Sequence, residues 1–307
     1  MSAVYPVAAG ITSHSGVLNP EVWAGKTLVK FYKATVFAAI SNTDYEGEIK
    51  SAGDTVHIRT IPDITIRKYS IGQDLTYENP KATVVDLLID QGYYYGVGIN
   101  DVNRAQSDMN YVEDWTNDAG EQMGITIDED ILSDVYADAA TANKGATAGA
   151  KSESINLGVS GTPLEIDKTN ILDVLVDVGV AMDEQNLPNS GRSIVLPAIF
   201  CGLIKKSDLK DASLTGDATS VLRNGRIGNI DRLTIYMSNQ IATTSDTVTV
   251  HNCIACHKSA LTFASQLVEN ETLKNPKDFG DLLRGLQVYG YETIKTEGMF
   301  HLYAYKS

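Results

Sequence analysis

The apolar positions of the chain repeat with two periods, which divide it into helical and extended segments. Steps of three and four residues are typical of an amphipathic helix, whereas strict alternation is typical of a half-buried strand. Helices are therefore predicted within residues 23–40, 105–143, 167–185, 198–206 and 258–267. Strands are predicted over residues 56–61, 64–69, 93–99, 193–196, 233–237 and 247–255, with a turn at 228–229 and a final hairpin over 286–305. Because helices and strands mix without a regular βαβ order, the predicted fold class is α+β.

Residues 64–90 are the part of the predicted fold with the least core of its own. They are interpreted as a long two-stranded excursion whose tip lies near residues 71–74. An isolated two-stranded ribbon is only marginally stable in water, so this one needs a surface to lie on. One interpretation pairs it with the strand 93–99 in a three-stranded sheet. The other packs it on a neighbouring subunit, and the alternation of charged and aromatic side chains along it favours this second interpretation.

The helical segment within residues 105–143 is unusual in length and in charge. It contains ten acidic residues and no Lys or Arg, and a helix of about 30 residues would be about 45 Å long. Like charges four residues apart, as at Asp130, Asp134 and Asp138, destabilise a helix, so a packed apolar face that includes Trp115 and Ile131 must hold it. The acids could form a cation site or a solvated acidic face. The solvated face is favoured because no calcium-loop pattern with its central Gly is present.

Residues 253–257 have the spacing of a haem-attachment motif, C-x-x-C-H, and His251 adds a further potential zinc ligand. Attachment of c-type haem requires export, and no export signal is visible at residues 1–16. Structural zinc sites usually take paired ligands from two separated segments, whereas these ligands all lie on one. We therefore expect free thiols, no disulfide and no bound metal or haem.

No pattern in the chain predicts catalysis. Residues 145–152 approach the phosphate-binding loop G-x-x-x-x-G-K-[ST], but Ala150 replaces the second Gly and the segment follows a predicted helix rather than a strand. Serine-hydrolase and metalloprotease motifs are not found. We expect no catalytic, cofactor-binding or metal-binding residues. An α+β hydrolase acting on carbohydrate through two carboxylates, or a monomeric ligand-binding protein, stays open as an alternative.

Charge and hydropathy limit the partners of the chain. Its 25 Lys and Arg against 39 Asp and Glu give a formal net charge of −14, which is unsuited to gripping nucleic acid. No apolar run approaches the roughly 18 residues of a membrane-spanning helix. The sequence therefore indicates a protein without a membrane span or a sequence-specific DNA surface.

The order of these features resembles the major capsid proteins of tailed bacteriophages, which have the Hong Kong 97-type fold. The resemblance spans nearly the whole chain, and each motif is weak by itself. The segments that carry it are residues 23–42, 45–49, 53–56, 72–78, 96–108, 238–239, 260–266 and 279–290.

The resemblance implies a domain organisation around the predicted elements. It comprises an N-terminal arm, a peripheral domain with a long spine helix, an extended β-hairpin loop and an axial domain. The implied boundaries are 1–42 for the arm and helix, 43–63 for a peripheral strand, 64–90 for the extended loop, 91–166 for the peripheral domain with the spine helix, 167–273 for the axial domain and 274–307 for a return to the peripheral domain.

The resemblance also implies function and partners. The expected role is a non-enzymatic coat protein that forms the hexamers and pentamers of an icosahedral shell, in the virion, around double-stranded DNA that it does not bind sequence-specifically. Assembly in the host cytoplasm with a separate scaffolding protein and a portal is implied, since similarity already begins at residue 23, and a decoration protein is a further candidate partner. The candidate intersubunit contacts all lie on the extended loop and are Arg67, Lys68, Tyr69, Asp74, Tyr77 and Lys81.

Overall fold

A computed structural model describes residues 33, 35–44, 55–62, 64–101, 111–207 and 228–307, without the side chains of 111–114 and 266–268. The helices are α1 Phe37–Ile40, α2 Tyr111–Asp134, α3 Ile171–Glu184 and α4 Ala198–Lys206, with 3-10 turns at Val135–Asp138, Thr141–Asn143 and Thr296–Gly298. The strands are β1 Thr55–Arg59, β2 Val84–Leu88, β3 Gln91–Asn100, β4 Leu164–Ile166, β5 Arg192–Leu196, β6 Asn229–Ile230, β7 Leu233–Met237, β8 Thr243–Ser245, β9 Thr249–His257, β10 Leu261–Lys274, β11 Gly280–Thr293 and β12 Met299–Lys306. The predicted α+β class is confirmed. Of the predicted N-terminal arm and helix, 1–42, residues 1–32 and 34 lie outside the described residues.

A seven-stranded mixed sheet forms the centre of the larger layer. Its order is β4-β12-β9-β5-β7-β6, and β8 pairs with β9. Strands β12 and β4 are parallel, as are β5 and β7. One face packs against α3 and α4, whereas the other packs against α1 and the C-terminal half of α2. The fully buried strand β5 lies between these two cores, which explains why its residues 194–196 are all apolar rather than alternating.

A three-stranded antiparallel sheet, β10-β11-β3, forms a second layer. The two-stranded ribbon β1–β2 packs on it through Ile58, Leu87 and Ile89, which share a small core with Ala264. Gly290 permits this close approach, because a Cβ at that position would overlap the carbonyl oxygen of Leu88. The ribbon therefore has a fixed base on the sheet.

The spine helix α2 is packed along only part of its length. Ile127 and Ile131 are buried against the central sheet, and Val135 continues the same stripe into the following 3-10 turn. Trp115 is 39% exposed, so the prediction that it lies on the packed face is wrong. The apolar stripe continues over the whole helix in sequence, but the core formed by the described residues covers only its second half.

Two elements near the end of the chain differ from their predictions because strand pairing is non-local. The predicted helix at 258–267 is the start of β10, which pairs with β11 from Leu261 onward. The predicted hairpin at 286–305 is wrong as well. Strand β11 lies in the three-stranded sheet, whereas β12 joins the seven-stranded sheet beside β9. A 3-10 turn, Thr296–Gly298, separates the two strands and redirects the chain.

Two smaller predictions also need correction. The turn expected at 228–229 lies between β6 and β7 at Asp231 and Arg232, whose φ angles are 45° and 65°. Residues 64–69 form no strand, and β3 pairs with β11 rather than continuing the β1–β2 ribbon. The three-stranded interpretation of the excursion is therefore wrong.

Candidate interaction surfaces

The extended loop was predicted at 64–90, but residues 84–88 of that range form β2. In the structure the extended loop is therefore the connection from β1 to β2, residues 60–83, and it has little internal support. At its base the Thr60 amide donates to the carbonyl oxygen of Thr83 at 2.9 Å. Farther out, Glu78 accepts a hydrogen bond from the Thr65 amide at 2.6 Å and lies 3.6 Å from the Arg67 guanidinium. Gly72 turns the chain at the tip with a φ of +84°. These contacts hold the two arms of the loop beside each other but give it no core.

The structure places all six predicted contact residues on this loop. Each of them is exposed: Arg67, Lys68, Tyr69, Asp74, Tyr77 and Lys81. Among the ion pairs formed within the described residues, the Arg67–Glu78 pair is the one that involves a member of this set. Part of the positive charge of the loop is thus already matched inside the subunit, and its intersubunit role stays a prediction.

The extended loop is more apolar at its surface than its charged and aromatic residues alone indicate. Ile61, Ile66 and Ile71 are 94%, 89% and 98% exposed, and Ile64 and Leu75 are exposed as well. Contiguous exposed apolar side chains are unusual on a monomeric protein and mark interaction sites. In the sequence, this apolar surface is indicated by isoleucines spaced along a loop that has no second apolar layer to cover them.

The acidic face of α2 is bonded to the three-stranded sheet and is not simply solvated. Tyr289 donates its hydroxyl hydrogen to Asp130 at 2.7 Å, and Tyr291 donates to Asp134 at 3.3 Å. A third rung joins the Thr293 hydroxyl to the Asp138 carboxylate at 2.9 Å. Asp130 is half-buried, which corrects the solvated-face interpretation at this position, whereas Asp134 and Asp138 are exposed as that interpretation predicts.

Simple geometry explains this ladder of three rungs. Four residues of α-helix rise about 6 Å, and two residues of strand rise about 6.6 Å, so acids at i, i+4 and i+8 match hydroxyls at j, j+2 and j+4. Burial, followed by the nearby Asp130 carboxylate, raises the pKa of Tyr289 well above its usual value. The hydroxyl hence stays a donor, and the ladder fixes the register of α2 on β11.

The innermost rung is expected to stabilise the protein measurably. Tyr289→Phe should lower the free energy of unfolding by about 1.5–3 kcal/mol, because the half-buried Asp130 carboxylate loses a hydrogen bond from a buried tyrosine. Chemical denaturation measures this change. Tyr94→Phe is the matched control, since Tyr94 is 81% exposed, and should change stability by less than about 0.5 kcal/mol. Equal effects of the two variants would show that the Tyr289–Asp130 bond carries no stability.

Asp128 is a buried acid on the same helix and attaches the segment that precedes β1. Its Oδ1 accepts hydrogen bonds from the amides of Val36 and Phe37 at 2.9 and 2.8 Å. Its Oδ2 is buried without a hydrogen-bond partner among the described residues. Burial raises the pKa of Asp128, and the two amide bonds oppose that shift. Val36 and Ile40 complete the core beside it, so this carboxylate locates residues 36–40 on the helix.

The cysteines of the C-x-x-C-H motif lie on opposite faces of β9. Residues three apart on a strand point in opposite directions, so Cys253 enters the core under α3 and α4, whereas Cys256 enters the core beside α2. Burial raises the pKa of Cys256 to about 11 and that of Cys253 further, which keeps both as thiols. The two sulfurs cannot converge on one ion. Among the described residues no group of three or more metal-ligating side chains is found.

Replacement of both strand cysteines is therefore expected to leave the fold intact. Cys253→Ala together with Cys256→Ala should cost about 1–2 kcal/mol per site, because each change removes a small buried group. Thermal unfolding measures the loss, and elemental analysis should give the same metal content for both proteins. One zinc per chain in the parent protein, lost in the variant, would contradict this expectation.

The near-match to a phosphate-binding loop uses its amides inside the protein. The backbone N–H groups of Lys151 and Ser152 donate to one carboxylate oxygen of Glu184 at 2.9 and 3.1 Å. These bonds lower the pKa of Glu184. A carboxylate at the end of α3 thus occupies the position where a phosphate-binding loop would hold its anion.

In the described residues, no helix is long and apolar enough to span a membrane.

Comparison with known proteins gives a consistent result. A model of the family described as phage capsid protein matches residues 93–300. The chain is similar to a solved structure from Mycobacterium phage Che8, with 28% sequence identity, a TM-score of 0.75 and coverage of 92% of this chain and 96% of that chain. No match is found among curated proteins.

Two further structures share the fold at lower identity. The capsid structure of cyanophage P-SCSP1u has 17% identity and a TM-score of 0.73, with 96% of each chain covered. The capsid of Ralstonia phage GP4 has 11% identity and a TM-score of 0.67, with 97% of this chain and 99% of that chain covered. The chain thus shares its fold with capsid proteins of similar length.

Proposed function

The chain belongs to the phage capsid protein family, and we infer that it is a major capsid protein of the Hong Kong 97 type. Such a subunit assembles with copies of itself into the shell of the virion. The family gives the chain a structural role, in place of the hydrolase or monomeric ligand-binding protein that the sequence left open.

The observation that carries the proposed mechanism is the exposed apolar loop. A side chain such as Ile71, which is 98% exposed, gains roughly 1.5–3 kcal/mol when a neighbour buries it completely. Because every subunit of a shell offers the same loop, this gain is repeated at each contact. We propose that residues 60–83 bind a neighbouring subunit and that Arg67, Lys68, Tyr69, Asp74, Tyr77 and Lys81 contribute to this contact.

The two sheets suggest how the chain divides into a peripheral and an axial domain. We propose that the three-stranded sheet and α2 form the peripheral domain and that the seven-stranded sheet forms the axial domain. Strand β12, from the segment 274–307, lies in the larger sheet beside β9. Residues 280–293 lie in the smaller sheet. The segment predicted as one return to the peripheral domain is thus shared between both sheets.

The net charge of −14 supports the proposed relation to DNA. A strongly acidic subunit repels the phosphate backbone, so a shell of such subunits can enclose double-stranded DNA without binding it. We further propose that assembly takes place in the host cytoplasm with a separate scaffolding protein and a portal, and that a decoration protein can bind the finished shell.

Electron microscopy and size-exclusion chromatography of the purified chain, with and without the scaffolding protein of the same phage, test this function. We expect shells with the scaffolding protein and particles of less regular size without it. A species of about 33 kDa under both conditions, together with binding of a small ligand, would contradict the proposal and favour the monomeric alternative.

A further inference from the structure

Two buried oxygen atoms beside the second half of α2 accept no hydrogen bond in the part of the chain that the structure describes. They are Oδ2 of Asp128, which is fully buried, and Oε1 of Gln240, which is 5% exposed. An ionised carboxylate and an amide oxygen are both acceptors, so an ionised Asp128 cannot satisfy Gln240. Nearly all buried polar atoms in native proteins have a partner, so two unpaired acceptors in one region indicate an additional hydrogen between them.

The two side chains belong to neighbouring positions on α2. Gln240 lies against this helix, because its Nε2 donates to the carbonyl oxygen of Ile125 at 2.5 Å, and its Oε1 is bonded to the same side-chain carbon. The Cβ atoms of helical residues three apart are about 5–6 Å from each other, so Asp128 follows Ile125 on the face that Gln240 contacts. The adjoining residues Ile241 and Val36 are buried in one core.

The contacts of Asp128 show which of its oxygens can carry a hydrogen. A neutral carboxyl group keeps an acceptor oxygen and gains one O–H donor. In Asp128 the acceptor is Oδ1, which receives the amides of Val36 and Phe37 at 2.9 and 2.8 Å. Burial raises the pKa of Asp128, and the two amide bonds oppose this shift only in part. Geometry and burial together thus favour a neutral carboxyl group with its hydrogen on Oδ2.

We propose that Asp128 is protonated at Oδ2 in the folded subunit near pH 6 and donates this hydrogen to Oε1 of Gln240. One hydrogen then satisfies both oxygens and joins residues 36–37, α2 and the connection between β7 and β8. Because the neutral form stabilises the fold, its contribution is complete at low pH and is lost as the pH rises through the raised pKa of the folded state. The segment 36–40 is thus held on α2 in acid and loosens in alkaline solution. This inference concerns one folded subunit and goes beyond the proposed function.

The other titratable groups around Asp128 are already matched or neutral. On the elements packed there they are Lys33, Glu129, Asp130, Cys256 and Tyr289. Lys33 and Glu129 are exposed and lie 3.9 Å apart, so solvent screens this pair. Tyr289 donates to Asp130, and burial keeps Cys256 a thiol by raising its pKa to about 11. Residues 238–242, which include Gln240, contain no titratable side chain. The pH response of this junction is therefore assigned to Asp128.

Asp128→Asn tests the proposed hydrogen bond, because its amide keeps the acceptor oxygen and places a permanent N–H donor in place of the O–H. Mass spectrometry measures hydrogen exchange of the peptide 35–41 in the full chain at pH 6 and pH 9, as protection relative to the intrinsic exchange rate. Protection should fall at least fivefold over this range in the parent and less than twofold in Asp128→Asn. Glu129→Gln is the matched control, since it removes the neighbouring exposed carboxylate, and should behave like the parent.

Two further measurements identify the proton and its acceptor. The infrared difference spectrum of the parent minus Asp128→Asn at pH 6 should contain the carbonyl band of a neutral carboxyl group. Gln240→Met removes the acceptor, so in this background Asp128→Asn should change the protection at pH 9 less than twofold. Absence of the infrared band, with the same pH response in the parent and Asp128→Asn, would show an ionised Asp128 and overturn the proposal. If Gln240→Met does not fold, the infrared band and the exchange of Asp128→Asn decide.

Discussion

Deletion of residues 70–74, the tip of the extended loop, is expected to leave a folded subunit that forms at least tenfold fewer shells. The tip includes Ile71 and Gly72 and lies outside all three apolar cores. Its loss should not disturb the fold, since the nearest cross-arm bonds are those of Glu78. Circular dichroism measures folding, and electron microscopy counts the particles.

A linker variant distinguishes the effect of loop length from the effect of side-chain contact at the tip. Replacement of residues 70–74 by five Gly and Ser residues keeps the length of the loop but removes the apolar side chain of Ile71. If this variant assembles like the parent, the tip acts only as a spacer. Normal and equally heat-resistant shells from the deletion itself would refute an intersubunit role, whereas an unfolded subunit would show that the tip supports the fold.

Substitution of Ile131 by Asp is the second change with a large expected effect. Ile131 is 1% exposed and lies where α1, α2 and the central sheet meet. A carboxylate placed there loses its hydration and gains no partner, so the subunit should lose several kcal/mol of stability and accumulate as insoluble protein. Solubility after expression and thermal unfolding of any soluble fraction measure the effect.

Gln122→Asp provides the matched control on the same helix. It introduces the same side chain at an exposed position, and we expect a change within about 0.5 kcal/mol and normal solubility. Similar behaviour of the two variants would show that the register assigned to α2 is incorrect. A soluble, fully stable Ile131→Asp subunit would show that the core beside α2 tolerates charge.

The elements predicted correctly from sequence are those that local periodicity determines. Helices α3 and α4 appear within their predicted spans, because each has an apolar face that recurs every three or four residues. Strand β10 was predicted in part as a helix, since its first residues are buried on both sides and lose their alternation. Its true partner, β11, is fixed by the sheet and not by neighbouring residues.

The position of the extended loop could be predicted from the sequence, but its exposed apolar character could not. The location of the loop followed from a ribbon without a core, and the charged and aromatic residues on it were identified. The isoleucines were not weighted, because a sequence does not show which apolar residues remain uncovered. The ladder from α2 to β11 was missed for a related reason. The sequence pattern behind the ladder is a set of hydroxyl side chains two residues apart and a set of acids four residues apart. This pattern can be recognised only when α2 and β11 are known to be in contact.

Strands β11 and β12 have a consequence for the order of events during synthesis. Strand β11 is the middle strand of its sheet, between β10 and β3, and β12 lies between β4 and β9. The three-stranded sheet consequently stays open until residues 280–293 are available, and the seven-stranded sheet stays open until residues 299–306 are available. A nascent chain can form α3 or the β1–β2 ribbon early, but it has neither finished layer. We therefore expect a subunit to join a shell only after both of these late strands have entered their sheets.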